Sequence, residues 1–330
     1  MGIRPLYSDK ILILCFFKRK ETQFRRMGKK KEHKSSPISE IDYLFSGGGD
    51  MGTRIKNFNW EETSIGPIES WPQNLKTIVR IMLTSRQPIW IGWGPELIKL
   101  YNDPYKSILG GKHPDALGKP ASVVWSEIWG DIEPMLNQVM QKNEGTYVEA
   151  QLLVMDRYGY PEETYYTFSY NPVPDENGQV GGMFCTNTDD TQRVLSERQL
   201  ALLRTLAAET IKSTSIEEAC ALTIHSLQHN TADIPFAIIY LLDLDSQEYN
   251  LSGSFGLKTS IRAAPGTIKP GEDVLWPFDQ LSDNAEIVID DLSTRYSSLT
   301  GESWEPAASQ AVIAPIGELS DSNAAVIVLD

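Results

Sequence analysis

PIWIGWGPELIKLYNDPYKSILGGKHPDALGKP, residues 88–120, is the stretch of this 330-residue chain that decides its fold. Its first half predicts two short aromatic strands joined by a tight turn at Gly94-Pro95. Asn102-Asp103-Pro104 then predicts the start of a helical stretch, because such Asx-Pro steps favour turn initiation. We therefore expect a domain that opens with strand, turn, strand and a run of short helices.

Three further strands are predicted over residues 147–155, 163–173 and 179–188. In the second of them Tyr166, Phe168 and Tyr170 recur with a period of two, which is typical of a strand with one buried face. Together with the first two strands they predict a five-stranded antiparallel sheet around a helical middle, which is an α+β fold.

Helices are predicted around the opening strands. A lead-in helix is expected over residues 63–83, where apolar residues recur at helical spacing. Trp125 and Trp129 lie four residues apart and are predicted on one helix face, and Asp131 is predicted to cap the helix that follows. Residues 28–50, which include three consecutive glycines, are interpreted as a linker.

Three segments carry a family resemblance in their wording as well as in their pattern, namely WIGWGPEL, LYNDPY and GGKHPDALGKP. They resemble the PAS module that opens many bacterial sensor histidine kinases, where a GAF domain often follows. The resemblance implies a role in signal reception within a two-component phosphorelay.

A second domain is predicted from residue 213 onward. Ser215 is expected to cap a helix, and residues 236–257 predict a hairpin that turns at Asp245-Ser246. This hairpin and the paired strands at residues 311–329 resemble a GAF domain, an antiparallel α/β sandwich. A GAF domain continues past such a strand into a closing helix. We therefore expect a GAF domain that is truncated at its C-terminus, either as a gene fragment or as an abnormal ending.

The predicted organisation is a basic, flexible leader and linker over residues 1–50, a PAS domain with its lead-in helix over 51–192, a connecting signalling helix over 193–212 and a GAF domain over 213–330. Leu195, Leu202 and Leu206 form a thin apolar stripe on the connecting helix. This stripe predicts a homodimer seam, although it is short for a coiled coil.

Charge is unevenly distributed along the chain. Residues 1–34 hold 11 basic and 3 acidic side chains, whereas the remainder holds 19 basic and 41 acidic ones. A body this acidic repels nucleic acid, so DNA or RNA binding by the folded part is not expected. The 3 cysteines lie far apart without a metal-like spacing, which fits a reducing compartment and a cytoplasmic location.

The basic leader contains ILILCFF, residues 11–17, a short apolar run flanked by charge. A membrane-spanning helix needs about 20 such residues, so no membrane span is expected. Met27 is an alternative start, and we favour a mis-assigned start codon over a membrane anchor. Contact of a genuine leader with anionic lipid or RNA stays open.

Residues 188–193, TDDTQR, close the last strand of the first domain and open the connecting helix. In PAS proteins an Asp-x-Thr or similar element joins the sheet to this helix, and Asp190-Thr191 resembles it, with Asp189 as an alternative acid. Arg193 completes this candidate set for signal transmission. A carboxylate here also acts as an ordinary helix cap, and the two roles are compatible.

Aromatic residues of the first domain are candidates for a ligand pocket between sheet and helices: Trp90, Trp93, Tyr101, Trp125, Trp129, Phe168 and Tyr170. Apolar pockets with a few polar groups are the usual sites for small molecules. The alternative is that these rings fill the core, which is the default role of buried aromatic residues. The sequence does not identify the ligand.

No cofactor is assigned from the sequence. His113 lies in a loop, where a lone histidine more often packs or faces solvent than ligates haem iron. Flavin-based PAS relatives need a cysteine in a helical Asn-Cys-Arg element, whereas Cys185 lies in a predicted strand. Cys220 lies on an amphipathic helix, which favours core packing over bilin attachment.

Catalytic residues and a metal site are not predicted. His225 and His229 lie four residues apart on a helix, but the sequence offers no third ligand. Phosphoacceptor histidines of kinases are typically followed by an acidic residue, and none of the 4 histidines here is. The sequence also lacks an ATP-binding Asn box and a glycine-rich lid.

The expected function is that of an intracellular sensory module. It would bind a small ligand or a partner and pass the change through the connecting helix to a histidine-kinase output that this chain lacks. A response regulator would be a partner only if a kinase core follows. The alternative is a stand-alone adaptor whose PAS or GAF surface binds another protein without ligand or kinase output.

Overall fold

The structure is a computed structural model that describes residues 39–257, 263–269, 271, 276–282, 285–292, 310–319 and 324–329. The contacts divide the chain into two compact units. The first comprises residues up to 149, 153–162 and 167–188, and the second comprises residues 150–152, 163–166 and those from 189 onward. The predicted leader, with its apolar run and Met27, lies outside the described residues.

The described part of the first unit begins with helices α1 (Glu40–Phe45) and α2 (Gly49–Asn57). This corrects the prediction of a linker up to residue 50. The Asp103 carboxylate caps α2 by accepting the N–H of Met51 (3.1 Å). Gly49 has a φ of 65°, and a Cβ there would collide with that carboxylate. The consecutive glycines therefore permit a close approach at a helix start.

Helix α3 (Gln73–Thr84) follows two 3₁₀ turns at Trp60–Glu62 and Ile68–Ser70. The predicted lead-in helix thus begins at Gln73 rather than at residue 63. Pro67 and Pro72 explain the difference, because proline lacks the N–H that a continuous helix requires. Leu75, Val79 and Met82 are fully buried at the helical spacing read from the sequence.

Strands β1 (Ile89–Trp93) and β2 (Ile98–Tyr101) form the predicted hairpin. Asn102 holds its end through a fully hydrogen-bonded side chain. Its Oδ1 accepts the N–H of Ile89 (3.0 Å), and its Nδ2 donates to the carbonyls of Met82 (3.0 Å) and Gln87 (2.8 Å). This buried amide joins the end of α3 to the start of β1 and the end of β2.

The helical middle consists of α4 (Lys106–Leu109), α5 (Ala121–Val124) and α6 (Trp129–Lys142), with 3₁₀ turns at Asp103–Tyr105, Gly110–Lys112 and Ser126–Ile128. Trp125 and Trp129 do not share a helix face, contrary to the prediction. The backbone leaves the helical conformation at Trp125, with φ −115° and ψ 38°. Asp131 lies in the first turn of α6 rather than at its cap.

Strands β3 (Thr146–Asp156), β4 (Pro161–Pro174) and β5 (Val180–Asp189) complete a five-stranded sheet in the order β2-β1-β5-β4-β3. β1 pairs antiparallel with β2 and with β5, so Trp90 lies opposite Tyr101 on one side and Cys185 on the other. Phe168 and Tyr170 are buried, as their alternation predicts. The predicted α+β fold with an antiparallel sheet and flanking helices is confirmed.

Helix α7 (Thr191–Thr210) follows β5, and α8 (Ile216–Leu227) comes next. Leu202 and Leu206 of α7 pack against a buried cluster that includes Cys220 of α8. The stripe that predicted a dimer seam is therefore partly used within the second unit. The homodimer itself stays a prediction, and the same spacing also serves this internal helix contact.

The second unit is built on a six-stranded antiparallel sheet in the order β8-β7-β6-β11-β10-β9. Its strands are β6 (Ala237–Asp243), β7 (Glu248–Phe255), β8 (Thr267–Ile268), β9 (Ile287–Ile289), β10 (Ala311–Ile316) and β11 (Ala325–Leu329). Alternate residues of β6 enter two cores. Ile239 packs with α8, and Tyr240 packs with Trp276 near a 3₁₀ turn at Phe278–Gln280.

Among the described residues, no helix combines the length and the apolar character that crossing a membrane requires.

Candidate functional site

An aromatic cluster lies buried in the first unit, and it contains five of the residues that the sequence nominated. They are Trp90, Tyr101, Trp125, Phe168 and Tyr170, each at most 4% exposed. The Trp90 and Tyr170 rings meet edge to face with centroids 6.1 Å apart, and the Phe168 ring lies 4.9 Å from Tyr170. Tyr105, which the sequence analysis missed, joins them with its ring 6.0 Å from Tyr101.

Lys99 is the second residue that the sequence analysis missed. It lies on β2 between Ile98 and Leu100, and its side chain is fully buried. Its Nζ is 3.5 Å from the centroid of the Trp90 ring, and it faces the rings of Tyr105 (5.0 Å) and Trp125 (5.2 Å). Burial lowers the pKa of this amine well below its ordinary value.

The sequence contained a weak signal for Lys99. Residues two apart on a strand share a face, so Lys99 lies on the same face of β2 as Tyr101, a residue predicted to line the pocket. Lysine side chains are nevertheless mostly exposed in proteins, and for that reason Lys99 was not predicted to be buried.

His113 is hydrogen-bonded within the same region. Its Nδ1 lies 2.8 Å from the Tyr101 hydroxyl. Burial lowers the pKa of His113 and raises the pKa of Tyr101, so near pH 7 this bond joins two neutral groups. One ring nitrogen of His113 is thus engaged by the protein itself.

Cys185 lies on β5 across from Trp90. Burial raises its pKa to about 12. The thiol is therefore protonated and unreactive at neutral pH, and it adds no charge to the aromatic cluster.

Trp93 and Trp129 instead line a separate surface groove of about 640 Å³. Its walls also carry the carboxylates of Glu96, Glu133 and Asp175. Trp129 is half-buried, whereas Trp93 is 7% exposed. The seven nominated residues thus separate into a buried cluster and an acidic, partly aromatic groove.

The residues nominated for signal transmission meet at the first turn of α7. The Asp190 N–H donates to the Tyr165 carbonyl of β4 (2.9 Å), and the Thr191 Oγ1 accepts the Tyr165 N–H (3.0 Å). Asp189 accepts the Thr191 N–H (3.0 Å), and Arg193 pairs with Asp190 (3.0 Å). The helix start is therefore hydrogen-bonded to one residue of the sheet through both its backbone and a hydroxyl.

Arg198, one turn further along α7, was not found from the sequence. Its guanidinium binds both carboxylate oxygens of Glu163 on β4 (2.6 and 3.0 Å) and also pairs with Asp233. These hydrogen bonds lower the pKa of Glu163. Each partner lies 35 residues away in the sequence, so no local pattern announces the contact.

In the part of the chain that the structure describes, no three His, Cys, Asp or Glu side chains converge as a metal site would require. The rings of His225 and His229 lie 4.9 Å apart. The Nδ1 of His229 lies 2.7 Å from the His225 carbonyl and donates to the backbone.

The second unit has a cavity of about 260 Å³ beside its larger core. Its walls include Tyr249, Trp276 and Phe278, with Lys269 and Asp279 among the polar lining residues. It is a second candidate site, with both aromatic and charged residues in its lining.

Residues 97–195 match the sequence model of a family described as the PAS fold. The match runs from β2 to the first turn of α7 and shows the PAS fold for this part of the chain. No curated protein matches the chain.

Solved structures resemble parts of the chain. The GAF domain of an Acinetobacter phosphoenolpyruvate-protein phosphotransferase has 19% identity, over 40% of this chain and 76% of its own, with a TM-score of 0.29. A Colwellia psychrerythraea PAS domain has 16% identity, over 36% and 98%, with a TM-score of 0.28. A Vibrio cholerae sensory box sensor histidine kinase has 12% identity, over 37% and 98%, with a TM-score of 0.24.

Proposed function

We propose that the chain is a sensory input region in which the PAS domain receives a small molecule at the aromatic cluster. One observation carries the proposal: the nominated rings Trp90 and Trp125 face a buried amine, Lys99, and Tyr170 packs edge to face against Trp90. Apolar walls with few, specific polar groups are the usual composition of a small-molecule site. The cavity of the second unit is a further place for a ligand.

Signal transmission would begin at the start of α7. Tyr165 of β4 shares two hydrogen bonds with Asp190 and Thr191. Because of these bonds, a displacement of β4 at Tyr165 would also displace the first turn of α7. A ligand that favours one packing of the sheet would shift the population of helix positions.

The output we propose is a histidine kinase outside this chain, with a response regulator as its partner and a cytoplasmic location. The support is the amino-acid sequence of the PAS segments at residues 90–120, which resembles that of sensor histidine kinases. Within the chain itself we assign no enzymatic step.

A homodimer through α7 is part of this proposal. Large apolar side chains that remain exposed there are Leu200 (47%) and Leu203 (62%), and Ile211 (85%) follows directly after the helix. Leu200 and Ile211 lie away from Leu202 and Leu206, which pack inside the second unit, and Leu203 lies at the margin, one turn before Leu206. An exposed apolar stripe of this kind fits a second copy of the helix.

A partner-binding adaptor is the second candidate function. The groove that contains Trp93 and Trp129 favours it, because a half-buried tryptophan beside carboxylates is typical of a recognition surface. In that case no small molecule would be needed in the aromatic cluster.

Native mass spectrometry of the full chain, purified from its own cytosol, tests the two functions. The sensor proposal predicts a bound small molecule that is released on denaturation. The molecule should be retained by Trp129→Ala, which alters only the groove, and lost from Phe168→Ala if that variant keeps its circular dichroism. A purified chain without any bound molecule, and without a thermal shift in a small-molecule library, would favour the adaptor.

A further inference from the structure

Lys99 is held in place by its backbone rather than by its charge. Its N–H donates to the Lys119 carbonyl (2.9 Å), and its carbonyl accepts the Gly118 N–H (2.9 Å). Among the described residues, Nζ has no hydrogen-bond partner. The fold therefore carries a fully buried amine into the aromatic cluster without giving it a counter-charge.

The ionisable groups around Lys99 do not supply that charge. Cys185 on β5 is a neutral thiol because burial raises its pKa to about 12. Lys112 carries a like charge near the Trp125 ring (4.8 Å), and Glu127 neutralises it at 2.6 Å. Tyr105 contributes a phenol ring at 5.0 Å. Among the described residues, the buried amine thus receives no counter-charge from these neighbours.

Magnitudes decide what this arrangement favours. A lysine over aromatic faces gains about 0.5–2 kcal/mol as a cation, whereas an unpaired buried ammonium costs several kcal/mol. The rings alone therefore do not compensate for the buried charge. An anion delivered by a ligand would do so, and the amine would take up a proton from solvent as the ion pair forms.

We propose that the PAS domain binds a small monocarboxylate, whose carboxylate pairs with Lys99 and whose apolar body lies among Trp90, Trp125 and Tyr105. This inference rests on the proposed function, because it names the ligand class of the same cluster. The number of unpaired positive charges near the cluster, one on protonated Lys99, favours a ligand with a single negative charge. Lys112 is committed to Glu127, so a dianionic phosphate would leave one negative charge buried without a partner.

Matched acids and amides test the proposal on the full chain: benzoate with benzamide, hexanoate with hexanamide, and indole-3-acetate with indole-3-acetamide. Thermal shift and titration calorimetry would compare the wild type with Lys99→Met, with Lys99→Gln and with Lys119→Met, an exposed control in the adjoining loop. Circular dichroism and the unliganded Tm establish that each variant is folded. Lys99→Gln keeps a hydrogen-bond donor without the charge.

We expect at least one acid to raise the Tm of the wild type and of Lys119→Met while its amide does not. Lys99→Met should weaken that acid by about ten- to a hundredfold, the usual value of a charged hydrogen bond, and Lys99→Gln by less. Binding should be accompanied by net proton uptake, seen as a dependence of the heat on the buffer.

Equal binding of acid and amide, or unchanged acid binding by folded Lys99→Met, would overturn the monocarboxylate. So would a neutral molecule recovered from the purified chain, although the sensor function would then stand. If no acid binds and the purified chain contains no bound molecule, both the monocarboxylate proposal and the sensor function would be overturned.

Discussion

At the scale of single residues, Lys99 shows how burial and charge oppose each other in this PAS domain. Its folded-state pKa lies below its ordinary value. Between those two values the unfolded chain binds more protons than the folded chain, so the stability that depends on Lys99 rises with pH.

Lys99→Met should therefore stabilise the unliganded protein, by about 1–3 kcal/mol near pH 6, because a buried unpaired amine gives way to an apolar chain of similar length. The gain should shrink as the pH approaches 9. Urea unfolding of both proteins from pH 6 to pH 9 measures this difference. A variant less stable than the wild type at pH 6 would show that Lys99 already has a partner.

Burial of single residues was predicted correctly from the sequence where an apolar or aromatic residue lies at a position that the strand pattern also assigns to the core. Phe168 and Tyr170 alternate on a strand and are buried. It missed Lys99, whose burial contradicts its type, and it did not separate Trp93 and Trp129, which line a groove, from the buried cluster. Strand alternation places Trp93 on the opposite face of β1 from Trp90, a signal that the list of aromatic residues did not use. The position of Trp129 depends on how the helical middle turns at Trp125, which the list could not give.

At the scale of elements, the Thr191 hydroxyl is one of the groups that join β4 to α7. Thr191→Val removes the acceptor of the Tyr165 N–H but preserves the shape of the side chain. We expect a loss of about 1 kcal/mol and faster hydrogen exchange at the Tyr165 amide.

Thr205→Val is the matched control for this change. Thr205 is exposed on the same helix, and its hydroxyl donates only to the Ala201 carbonyl (3.0 Å). Slow exchange at Tyr165 in Thr191→Val would mean that the hydroxyl does not hold the helix start.

The ion pair between Arg198 and Glu163 is a second contact between α7 and β4. Arg198→Met leaves Glu163 and Asp233 as neighbouring carboxylates without a cation, which should cost about 1–3 kcal/mol, less than a fully buried pair would because all three groups are half-buried. Arg204→Met, exposed on the same helix, should change stability little.

The pH dependence of this contact follows from the lowered pKa of Glu163. Its contribution is complete above the ordinary pKa of a glutamate and is lost as the pH falls through the lowered value. Chemical unfolding at pH 7 and pH 3 should therefore give a smaller difference between wild type and Arg198→Met at pH 3 than at pH 7. Equal differences at both values would contradict the ion pair.

Element boundaries followed the sequence wherever local chemistry sets them. The hairpin turn at Gly94-Pro95, the cap at Ser215, which accepts the Glu218 N–H (3.2 Å), and the turn at residues 244–247 were all predicted. The helices at residues 40–57 were not predicted: the local cap of α1 at Ser39, which accepts the Asp42 N–H (3.0 Å), was missed, and α2 is capped by Asp103 from a distant part of the chain. Long-range caps leave no local signature.

At the scale of the whole molecule, α7 presents two apolar stripes with different predicted roles. Leu203→Glu places a charge on the exposed stripe, and it should convert a dimer to a monomer while leaving the Tm nearly unchanged. Leu206→Glu places the same charge on the stripe that packs against the second unit, and it should lower the Tm.

Light scattering after size exclusion, together with a thermal melt, separates these outcomes. A monomeric wild type would remove the dimer from the proposal. A Leu203→Glu protein that stays dimeric would move the interface away from this helix.

The most direct test of sensing and transmission together is hydrogen–deuterium exchange of the full chain with its bound molecule and after that molecule is removed by unfolding and refolding. We predict that removal increases exchange in residues 89–105 around Lys99 and also at Tyr165 and residues 190–198, where the helix begins. A change confined to the groove around Trp93 and Trp129, or no change at the start of α7, would contradict a ligand signal passed from the aromatic cluster to the helix.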